Sequence, residues 1–425
     1  MTERDLEAGS RRADPVDLLV IGAGAAGLAA TIFAARCAPA LRVRCIDGAR
    51  RIGAKILVSG GSRCNVTNRV VSDRDFWGGP SPIVRRVLRA FPAEKAAAFF
   101  EEIGVRLHEE DDGKLFPDSD RARTVLDALL AELAERGATV GVGERVTDVG
   151  RDGEAFVVTT DASRCYRARR VVLATGGRSL PKTGSDGFGY ELARRLGHGY
   201  VETTPALAPL MLAGTGHQAL AGVAHPASLT IRTGDSAKRT LTGSMLWTHF
   251  GVSGPVALNM SRHWHRARLE GRSPVVTLNL CPEDTFETVE AWLLDRQARR
   301  PRAQVHTVLA ERLPAAVAER WARQADVDRE TTLAHLSRED RRRLVQTLLD
   351  TVLDVVDSRG YTYAEVTAGG VPLEEIDPAT LESRLCPGLH LVGEILDVDG
   401  RLGGFNFQWA WSSGWVAGHA AAGAL

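Results

Sequence analysis

The sequence contains no Cys-x-x-Cys pair and few cysteines for its length of 425 residues. They are Cys37, Cys45, Cys64, Cys165, Cys281 and Cys386. This scattered spacing excludes the usual dithiol redox centre and provides no zinc-ligand pattern, so we expect no bound metal. In a chain of this length the pattern is typical of reduced thiols in a cytoplasmic protein.

Long apolar runs and an excess of one charge are also absent. No stretch approaches the roughly 18 consecutive apolar residues of a membrane-spanning helix, so we expect no membrane partner. Lysine plus arginine and aspartate plus glutamate both number 53, which gives a formal net charge of +0. Because a balanced chain has no global field that attracts nucleic acid, we predict a small-molecule substrate and no nucleic-acid partner.

The first fifteen residues carry many charges and no apolar segment. This composition argues against a secretory signal and predicts a tail that takes no part in the fold.

What the sequence does contain is a βαβ pattern near its N-terminus. The apolar run from Val16 to Ile21 predicts a strand that is buried on both faces, and an alanine-rich helix begins near Ala25. A second short strand, Val43 to Ile46, ends at Asp47. A unit of this size is the first half of a Rossmann-type fold.

The turn between the first strand and the helix reads G-A-G-A-A-G over residues 22–27. In this context Gly22 permits the tight turn, Gly24 lets the backbone approach a pyrophosphate, and Gly27 lets the helix pack against the strand. The N-terminus of the helix presents free N–H groups to the diphosphate. Asp47 follows the next strand, where its carboxylate can bind the ribose hydroxyls of a dinucleotide.

Three further segments have the composition of ligand-binding loops. Residues 55–68 combine adjacent glycines with Arg63, whose guanidinium suits a phosphate, and with several hydroxyl and amide side chains. A solvated surface loop would have the same composition. Residues 171–177 and 391–408 are apolar strands that end in glycine-rich loops, and the second of these loops leads into a helix. Amides at that helix start suit the electron-rich end of a flavin.

The four segments together resemble the BaiN/YhiN-like flavoproteins, also called the aminoacetone oxidase family of FAD-binding enzymes. The resemblance rests on KILVSGGSRCNVTN at 55–68, LATGGRSLPKTGSDGFGY at 173–190, THFGVSGPVAL at 248–258 and GEILDVDGRLGGFNFQWAWSSGWVAG at 393–418. Two departures concern the substrate side: Ser62 stands where relatives carry glycine, and Phe188 stands where they carry an acid.

The resemblance implies an α/β fold with a Rossmann-like FAD-binding domain, of the type with two dinucleotide-binding domains, that carries a β-rich insert and a helical insert. We predict a tail over residues 1–15, the FAD-binding domain over 16–201 and 358–425, the β-rich insert over 202–280 and the helical insert over 281–357.

The motifs and the resemblance together nominate one set of FAD-binding residues. These are Gly22, Gly24, Ala25, Ala26, Gly27, Asp47, Lys55, Ser59, Gly60, Arg63, Cys64, Asn65, Thr67, Asn68, Val146, Ala174, Thr175, Gly176, Gly393, Glu394, Asp397, Gly403, Gly404, Phe405 and Asn406.

His249 is the candidate for acid–base catalysis, because imidazole titrates near neutral pH and the residue lies in a family motif. A satisfied structural histidine is the alternative reading. A second G-x-G-x-x-G motif is absent, so the sequence provides no dedicated Rossmann site for NAD(P)H. We therefore predict that NAD(P)H binds the enzyme only transiently.

The predicted function is that of a cytoplasmic FAD-dependent oxidoreductase, linked to NAD(P)H, that acts on a small organic substrate by hydride transfer. Two alternatives remain: a flavin amine oxidase that produces hydrogen peroxide, and a non-catalytic FAD- or RNA-binding protein.

Overall fold

The computed structural model describes residues 13–234 and 238–425. The chain forms two compact units, and the second is inserted into the first. The first unit runs to Thr203 and resumes at Glu365, and the second comprises Thr204–Ala364. The tail predicted over residues 1–15 lies outside the described residues as far as residue 12, and the first strand begins at Asp14.

The first segment of the first unit alternates strands and helices. Its elements are β1 (Asp14–Ile21), α1 (Ala25–Cys37), β2 (Val43–Asp47), α2 (Ala54–Ser62), β3 (Thr67–Asn68), β4 (Phe76–Gly78), α3 (Ser81–Ala90), α4 (Ala93–Glu102), β5 (Leu107–Glu110), β6 (Lys114–Pro117), α5 (Ala122–Glu135), β7 (Thr139–Val142), β8 (Val146–Asp152), β9 (Ala155–Thr160), β10 (Cys165–Leu173), α6 (Phe188–Arg195) and β11 (Val201–Ala206). The strand β11 crosses the boundary into the second unit.

The second unit and the final segment follow. The second unit contains β12 (Leu210–Leu212), β13 (Ala224–Arg232), β14 (Arg239–Thr248), β15 (Gly251–Ser253), α7 (Pro255–Leu269), β16 (Val275–Asn279), α8 (Phe286–Arg299), α9 (Val305–Leu309), α10 (Ala315–Gln324), α11 (Arg338–Leu349), β17 (Thr351–Leu353) and β18 (Val355–Ser358). The final segment contains β19 (Val366–Gly370), β20 (Leu389–Leu391), β21 (Val398–Gly400) and α12 (Phe405–Gly423).

A seven-stranded sheet forms the centre of the first unit, in the order β7-β2-β1-β10-β9-β8, with β20 also paired to β10. The strands β7, β2, β1, β10 and β20 are parallel, whereas β9 and β8 run antiparallel. Ile21 is level with Ile46 on one side and with Leu173 on the other. The carboxyl ends of three strands therefore meet at one edge of the sheet, which is where open α/β sheets bind ligands.

Helices α1 and α12 cover this sheet with small residues. Ten consecutive residues of α1, from Ala26 to Ala35, are buried. A β-carbon at Gly414 would lie 2.7 Å from the Ala26 carbonyl oxygen, and one at Gly418 would lie 2.6 Å from that of Ala30. The two helices pack with almost no side-chain volume between their backbones, so the C-terminal helix is part of the same core as the βαβ unit.

The second unit has its own core. Its seven-stranded sheet has the order β17-β16-β13-β14-β15-β12-β18, and all the pairs are antiparallel. Buried side chains of this sheet, such as Trp247 and Leu278, belong to one apolar cluster with Trp321 and Leu344 of the helices. The predicted β-rich and helical inserts thus share one unit, whose ends fall at residues 204 and 364.

Among the described residues, no helix has the length and apolarity that crossing a lipid bilayer requires.

Candidate functional site

The turn after β1 is built so that only glycine fits at two of its positions. Gly22 has φ +108°, and a β-carbon there would lie 2.4 Å from the carbonyl oxygen of Ala174. A β-carbon at Gly27 would lie 1.8 Å from the carbonyl oxygen of Gly22. Gly24 differs, because its φ is −80° and nothing lies within 4 Å of its β-carbon position. The backbone at Gly24 therefore faces open space at the N-terminus of α1.

Helix α1 begins directly behind this space. Gly24 is its N-cap and no side chain caps it. The N–H groups of the first turn, which includes Ala25 and Ala26, have no acceptor within the helix. They carry the positive end of the helix dipole, so the open space favours an anionic group.

Asp47 ends β2 beside the same turn. One carboxylate oxygen accepts a hydrogen bond from Ala23 N at 2.6 Å, and the other accepts from Ala49 N at 2.7 Å. Because a carboxylate has about four acceptor positions, two remain for hydroxyl groups of a ligand. The contact with Ala23 also holds the glycine turn in place.

A cavity of about 520 Å³ lies at this edge of the sheet. The predicted residues Gly22, Asp47, Val146 and Thr175 line it. So do four cationic residues that the sequence analysis did not select: Arg50, Arg51, Arg145 and Lys182. The available signal for two of them was the position of Arg50 and Arg51, three and four residues after Asp47. Asp47, Glu144 and Asp186 also line the cavity, and Asp186 pairs with Arg145, so the wall carries charges of both signs.

The segment over residues 55–68, interpreted as a loop, begins as a helix. Helix α2 extends to Ser62, but Gly60 and Gly61 have φ +53° and +67° and so leave the helical conformation. Ser62 and Cys64 also have positive φ, at 70° and 65°. The chain thus makes a tight left-handed turn, which is costly for residues other than glycine.

The amide and hydroxyl groups after this turn bind the C-terminal glycine loop. With its amide oriented to satisfy both polar atoms, Asn65 accepts from Gly404 N at 3.1 Å. Asn68 donates to the carbonyl oxygen of Gly403 at 3.1 Å, and Thr67 donates to Gln408 at 2.6 Å. The structure therefore brings these two predicted segments together, although more than 330 residues separate them along the chain.

Arg63 faces carboxylates. Its guanidinium donates to both oxygens of Glu110, at 2.5 and 3.1 Å, and to Asp120 at 3.2 Å, and it lies 4.1 Å from the ring centre of Phe116. The hydrogen bonds from Arg63 hold the pKa of Glu110 below its ordinary value. His108 Nε2 lies 3.5 Å from the same carboxylate. The predicted contact of Arg63 with FAD stays a prediction.

A second polar cluster joins Lys55 to the Gly-Glu segment. The Lys55 ammonium donates to Glu394 at 2.6 Å and to Ser179 at 2.7 Å. The other oxygen of Glu394 accepts from Ser179 Oγ at 2.8 Å and from Thr367 N at 3.0 Å. Ser179 and Thr367 are fully buried, so this network fixes the orientation of Glu394.

Helix α12 starts where the glycine loop meets β3. Gly404 has φ +91°, and a β-carbon there would lie 2.5 Å from the Thr67 carbonyl group. The Phe405 side chain is fully buried, and both polar atoms of the Asn406 amide bond the backbone of Gly400. Contacts from Phe405 and Asn406 to a cofactor are therefore expected from their backbone N–H groups.

The remaining predicted residues fall in varied surroundings. Ser59 Oγ donates to the carbonyl oxygen of Ile56, and burial raises the pKa of the Cys64 thiol to about 12, which keeps it protonated. Gly176 and Gly393 have positive φ, and the Gly393 β-carbon position lies 2.8 Å from the Ala26 side chain. The backbone N–H of Asp397 donates to Val371.

His249 lies in the second unit. Its side chain is exposed, and its ring lies edge-on to Phe250 with 5.0 Å between the ring centres. Its catalytic role and the alternative of a satisfied structural histidine both stay predictions.

The residues of the first unit fit FAD. The open space at Gly24 and the free N–H groups of α1 suit the diphosphate, and the free acceptor positions of Asp47 suit the ribose.

Comparisons with known proteins agree with this fit. The family described as HI0933-like protein Rossmann domain matches residues 16–420. The 3-dehydro-bile acid delta(4,6)-reductase of Clostridium scindens is 34% identical over 95% of this chain and 98% of its own. The ribosomal RNA dihydrouridine synthase of Escherichia coli is also 34% identical, over 94% of this chain and 96% of its own.

Among solved structures, a variant of the E. coli quinol fumarate reductase FrdA superposes with a TM-score of 0.50. It is 19% identical, and the match covers 96% of this chain and 70% of that one. At this identity the similarity shows the fold alone.

Proposed function

The chain belongs to the HI0933-like family of FAD-dependent oxidoreductases, as its resemblance to the BaiN/YhiN-like flavoproteins predicted, and from this premise we propose that it reduces a carbon–carbon double bond conjugated with a carbonyl group. Electrons come from NAD(P)H, which binds transiently, and the substrate is a small organic molecule.

The observation that carries the proposal is the chemistry shared by two relatives of equal identity. One is named for reducing the 4,6 double bonds of a 3-dehydro bile acid, and the other for making dihydrouridine. In both names the reduced bond is conjugated with a carbonyl carbon, although one substrate is a steroid and the other a base in RNA. A common reaction on such different molecules indicates that the type of bond, rather than the rest of the substrate, is what the family shares.

FAD, when bound, supplies hydride exchange between the nicotinamide and the double bond. The residues of this chain supply position and electrostatics. The turn at residues 22–27 and the start of α1 would hold the diphosphate, and Asp47 would hold the ribose, while the network of Lys55, Ser179 and Glu394 fixes the loop at Gly393. His249, whose side chain is exposed, is the proposed donor of the proton that completes reduction.

The choice of a small molecule rests on the balanced charge. A net charge of +0 provides no long-range attraction for RNA, whose binding depends on neutralised phosphates. The alternative is uracil in ribosomal RNA, because a relative bears that name.

Anaerobic stopped-flow spectroscopy tests the proposal in two half-reactions. We expect NADH or NADPH to bleach the visible flavin band, and a conjugated enone added to the reduced enzyme to restore it without oxygen. If an amine bleaches the flavin and only oxygen restores it, the protein is an amine oxidase. If an rRNA fragment restores it and no free enone does, the small-molecule substrate is wrong.

A further inference from the structure

A loop of the second unit presents successive backbone N–H groups that have no acceptor in the protein. It reads G-T-G-H over residues 214–217, and Gly214 has φ +65°. Within residues 13–234 and 238–425, no oxygen atom accepts a hydrogen bond from the N–H groups of these four residues. The first three residues of this G-T-G-H loop are exposed. Successive free N–H groups in a turn form a surface that attracts anions.

The guanidinium of Arg320, in α10, lies flat against the G-T-G-H loop. A β-carbon at Gly216 would lie 2.7 Å from Arg320 Nη2, 3.1 Å from Nη1 and 3.3 Å from the central carbon of the guanidinium. The three similar distances place the plane of the guanidinium over the glycine. Gly216 does not have a positive φ, so the close approach of Arg320 is what favours glycine here. A side chain at residue 216 would have to displace the guanidinium.

Arg320 differs from other arginines of the second unit that have no acceptor. Arg268, Arg342 and Arg359 lie on aromatic rings. In the described part of the chain, none of their nitrogen atoms is both buried and without a hydrogen-bond partner, whereas Arg320 Nε is both. Water can satisfy the donors of an exposed guanidinium, but it cannot reach Arg320 Nε. The unsatisfied donor is therefore particular to Arg320 within this set.

The charge of Arg320 also lacks a counter-ion. Burial and the positive charge of Arg323 lower the pKa of the Arg320 guanidinium below its ordinary value. Glu319, the neighbour of Arg320 in the sequence, pairs instead with Arg323 and Arg329. Because a half-buried cation without an anion destabilises the folded chain, an anion from outside the chain would stabilise this site.

A second buried nitrogen atom without a partner belongs to the G-T-G-H loop itself. His217 is 5% exposed, and its Nε2 atom is buried and has no hydrogen-bond partner. The preceding residue, Gly216, is the one that contacts Arg320. Nearly all buried polar groups in proteins have a hydrogen-bond partner. Two exceptions on the two segments that meet at Gly216 favour a ligand at this contact.

We propose that the G-T-G-H loop and Arg320 bind a phosphate group, either free or carried by a nucleotide. The loop supplies backbone N–H donors, and the guanidinium supplies paired donors in a fork that matches two phosphate oxygens. A phosphate has more acceptor oxygens than a carboxylate and a larger negative charge, so this number of donors favours phosphate. All the residues of the site belong to the second unit, whereas the diphosphate turn at residues 22–27 belongs to the first.

The test uses the FAD-loaded protein, so that the diphosphate turn is filled. Isothermal titration calorimetry measures the binding of inorganic phosphate at constant ionic strength, with chloride as the compensating anion, and Tm is measured in the same buffers. Arg320→Met removes the donors and keeps an apolar stem, and Gly216→Ala displaces the guanidinium from the loop. The matched control is Arg342→Met, at an exposed arginine of the same unit that lies on the Phe286 ring.

We expect the wild type to bind phosphate and to gain thermal stability as the phosphate concentration rises. Arg320→Met should weaken phosphate binding by about tenfold or more, because hydrogen bonds to a charged group are lost. Gly216→Ala should weaken it as well, and Arg342→Met should match the wild type. Without phosphate, Arg320→Met should unfold at the wild-type Tm or above it, since it no longer buries an unpaired cation.

AMP distinguishes the two sources of the phosphate group. Tighter binding of AMP than of inorganic phosphate, lost in Arg320→Met, supports a nucleotide ligand, and equal or weaker binding of AMP supports free phosphate. The site is overturned if Arg320→Met binds phosphate as tightly as the wild type, or if the wild type binds neither phosphate nor AMP. Tighter binding of acetate than of phosphate would overturn the choice of phosphate.

Discussion

At the scale of single residues, the glycines of the N-terminal turn have two different roles, and Gly24 differs from Gly22 and Gly27. Gly22 and Gly27 are required by the fold, because any β-carbon there meets backbone atoms. Gly24 has a conformation that other residues adopt and open space at its β-carbon position. We therefore expect its lack of a side chain to serve a ligand and not the folding of the turn.

A methyl group at Gly24 should fill the space for the diphosphate without harming the fold. We expect Gly24→Ala to raise the Kd for FAD by about tenfold or more, which is about 1.4 kcal/mol, while the Tm of the flavin-free protein stays unchanged. Flavin fluorescence titration and circular dichroism measure the two quantities. Gly150→Ala is the matched control, since nothing lies within 4 Å of that β-carbon position either; equal FAD affinity of both variants would contradict the assignment.

His390 is a residue whose burial predicts acid sensitivity. The side chain is fully buried in β20, its Nδ1 lies 2.9 Å from the Thr380 carbonyl oxygen, and burial lowers its pKa from 6.5 to about 4. The charged groups that act on it are Glu382 and Arg170. Because the unfolded chain binds the proton first as the pH falls, this stability is present above pH 6.5 and is lost between pH 6.5 and about 4.

We therefore expect Tm to fall over this pH range, and to fall less in His390→Asn than in the wild type when each is compared with its own value at neutral pH. The difference should be a few degrees, as roughly 1 kcal/mol corresponds to about 2–4 °C for a domain of this size. His335→Gln, at an exposed position, should follow the wild type. Parallel Tm curves for His390→Asn and wild type would show that His390 does not contribute.

At the scale of elements, the contact between α1 and α12 depends on residues without side chains. A β-carbon at Gly414 or Gly418 would lie within 2.7 Å of a backbone carbonyl oxygen of α1. Backbone atoms cannot move aside as a flexible side chain can, so the two helices would have to separate.

Gly414→Ala and Gly418→Ala should each destabilise the protein by about 1–3 kcal/mol, the usual cost of overpacking. Alanine is the better helix former by about 1 kcal/mol, so a loss of stability isolates the packing effect. Gly423→Ala in the same helix meets nothing within 4 Å and should be neutral or slightly stabilising. Thermal unfolding measures all three; stable Gly414→Ala and Gly418→Ala variants would mean that the helices are not in close contact.

The elements also show which helices and strands could be predicted from the sequence. The strand at Val16–Ile21, the helix at Ala25 and the second strand ending at Asp47 were predicted and are confirmed, because periodicity and glycine spacing are local signals. Residues 55–68 were interpreted as a loop because their polar composition hides a short helix, α2.

Contacts between side chains that are far apart in the sequence leave no local pattern from which they could be predicted. Lys55 and Glu394 are 339 residues apart, and no local pattern pairs them. Arg63 is predicted to bind a phosphate from its residue type, and the sequence gives no sign that Glu110 and Asp120 lie beside it, since they are 47 and 57 positions away.

At the scale of the whole molecule, the second unit is one continuous stretch of chain with its own sheet and core. The first unit is built from two separate stretches, and its core needs α12 from the second of them. The two units should therefore respond differently to dissection.

We expect a fragment of residues 204–364 to fold alone, with a cooperative thermal transition in circular dichroism and no flavin absorption. A fragment ending at residue 203 lacks α12 and β20, so it should be unfolded and bind no FAD. A disordered 204–364 fragment would show that the apolar cluster of the second unit is insufficient on its own.

The glycine loop at residues 403–404 bonds Asn65 and Asn68 and stands near the end of the chain. The ribosome therefore synthesises Asn65 and Asn68 more than 330 residues before the glycine loop that they bind. Until that loop has been made, these two amide side chains of the nascent polypeptide lack their backbone partners at Gly403 and Gly404.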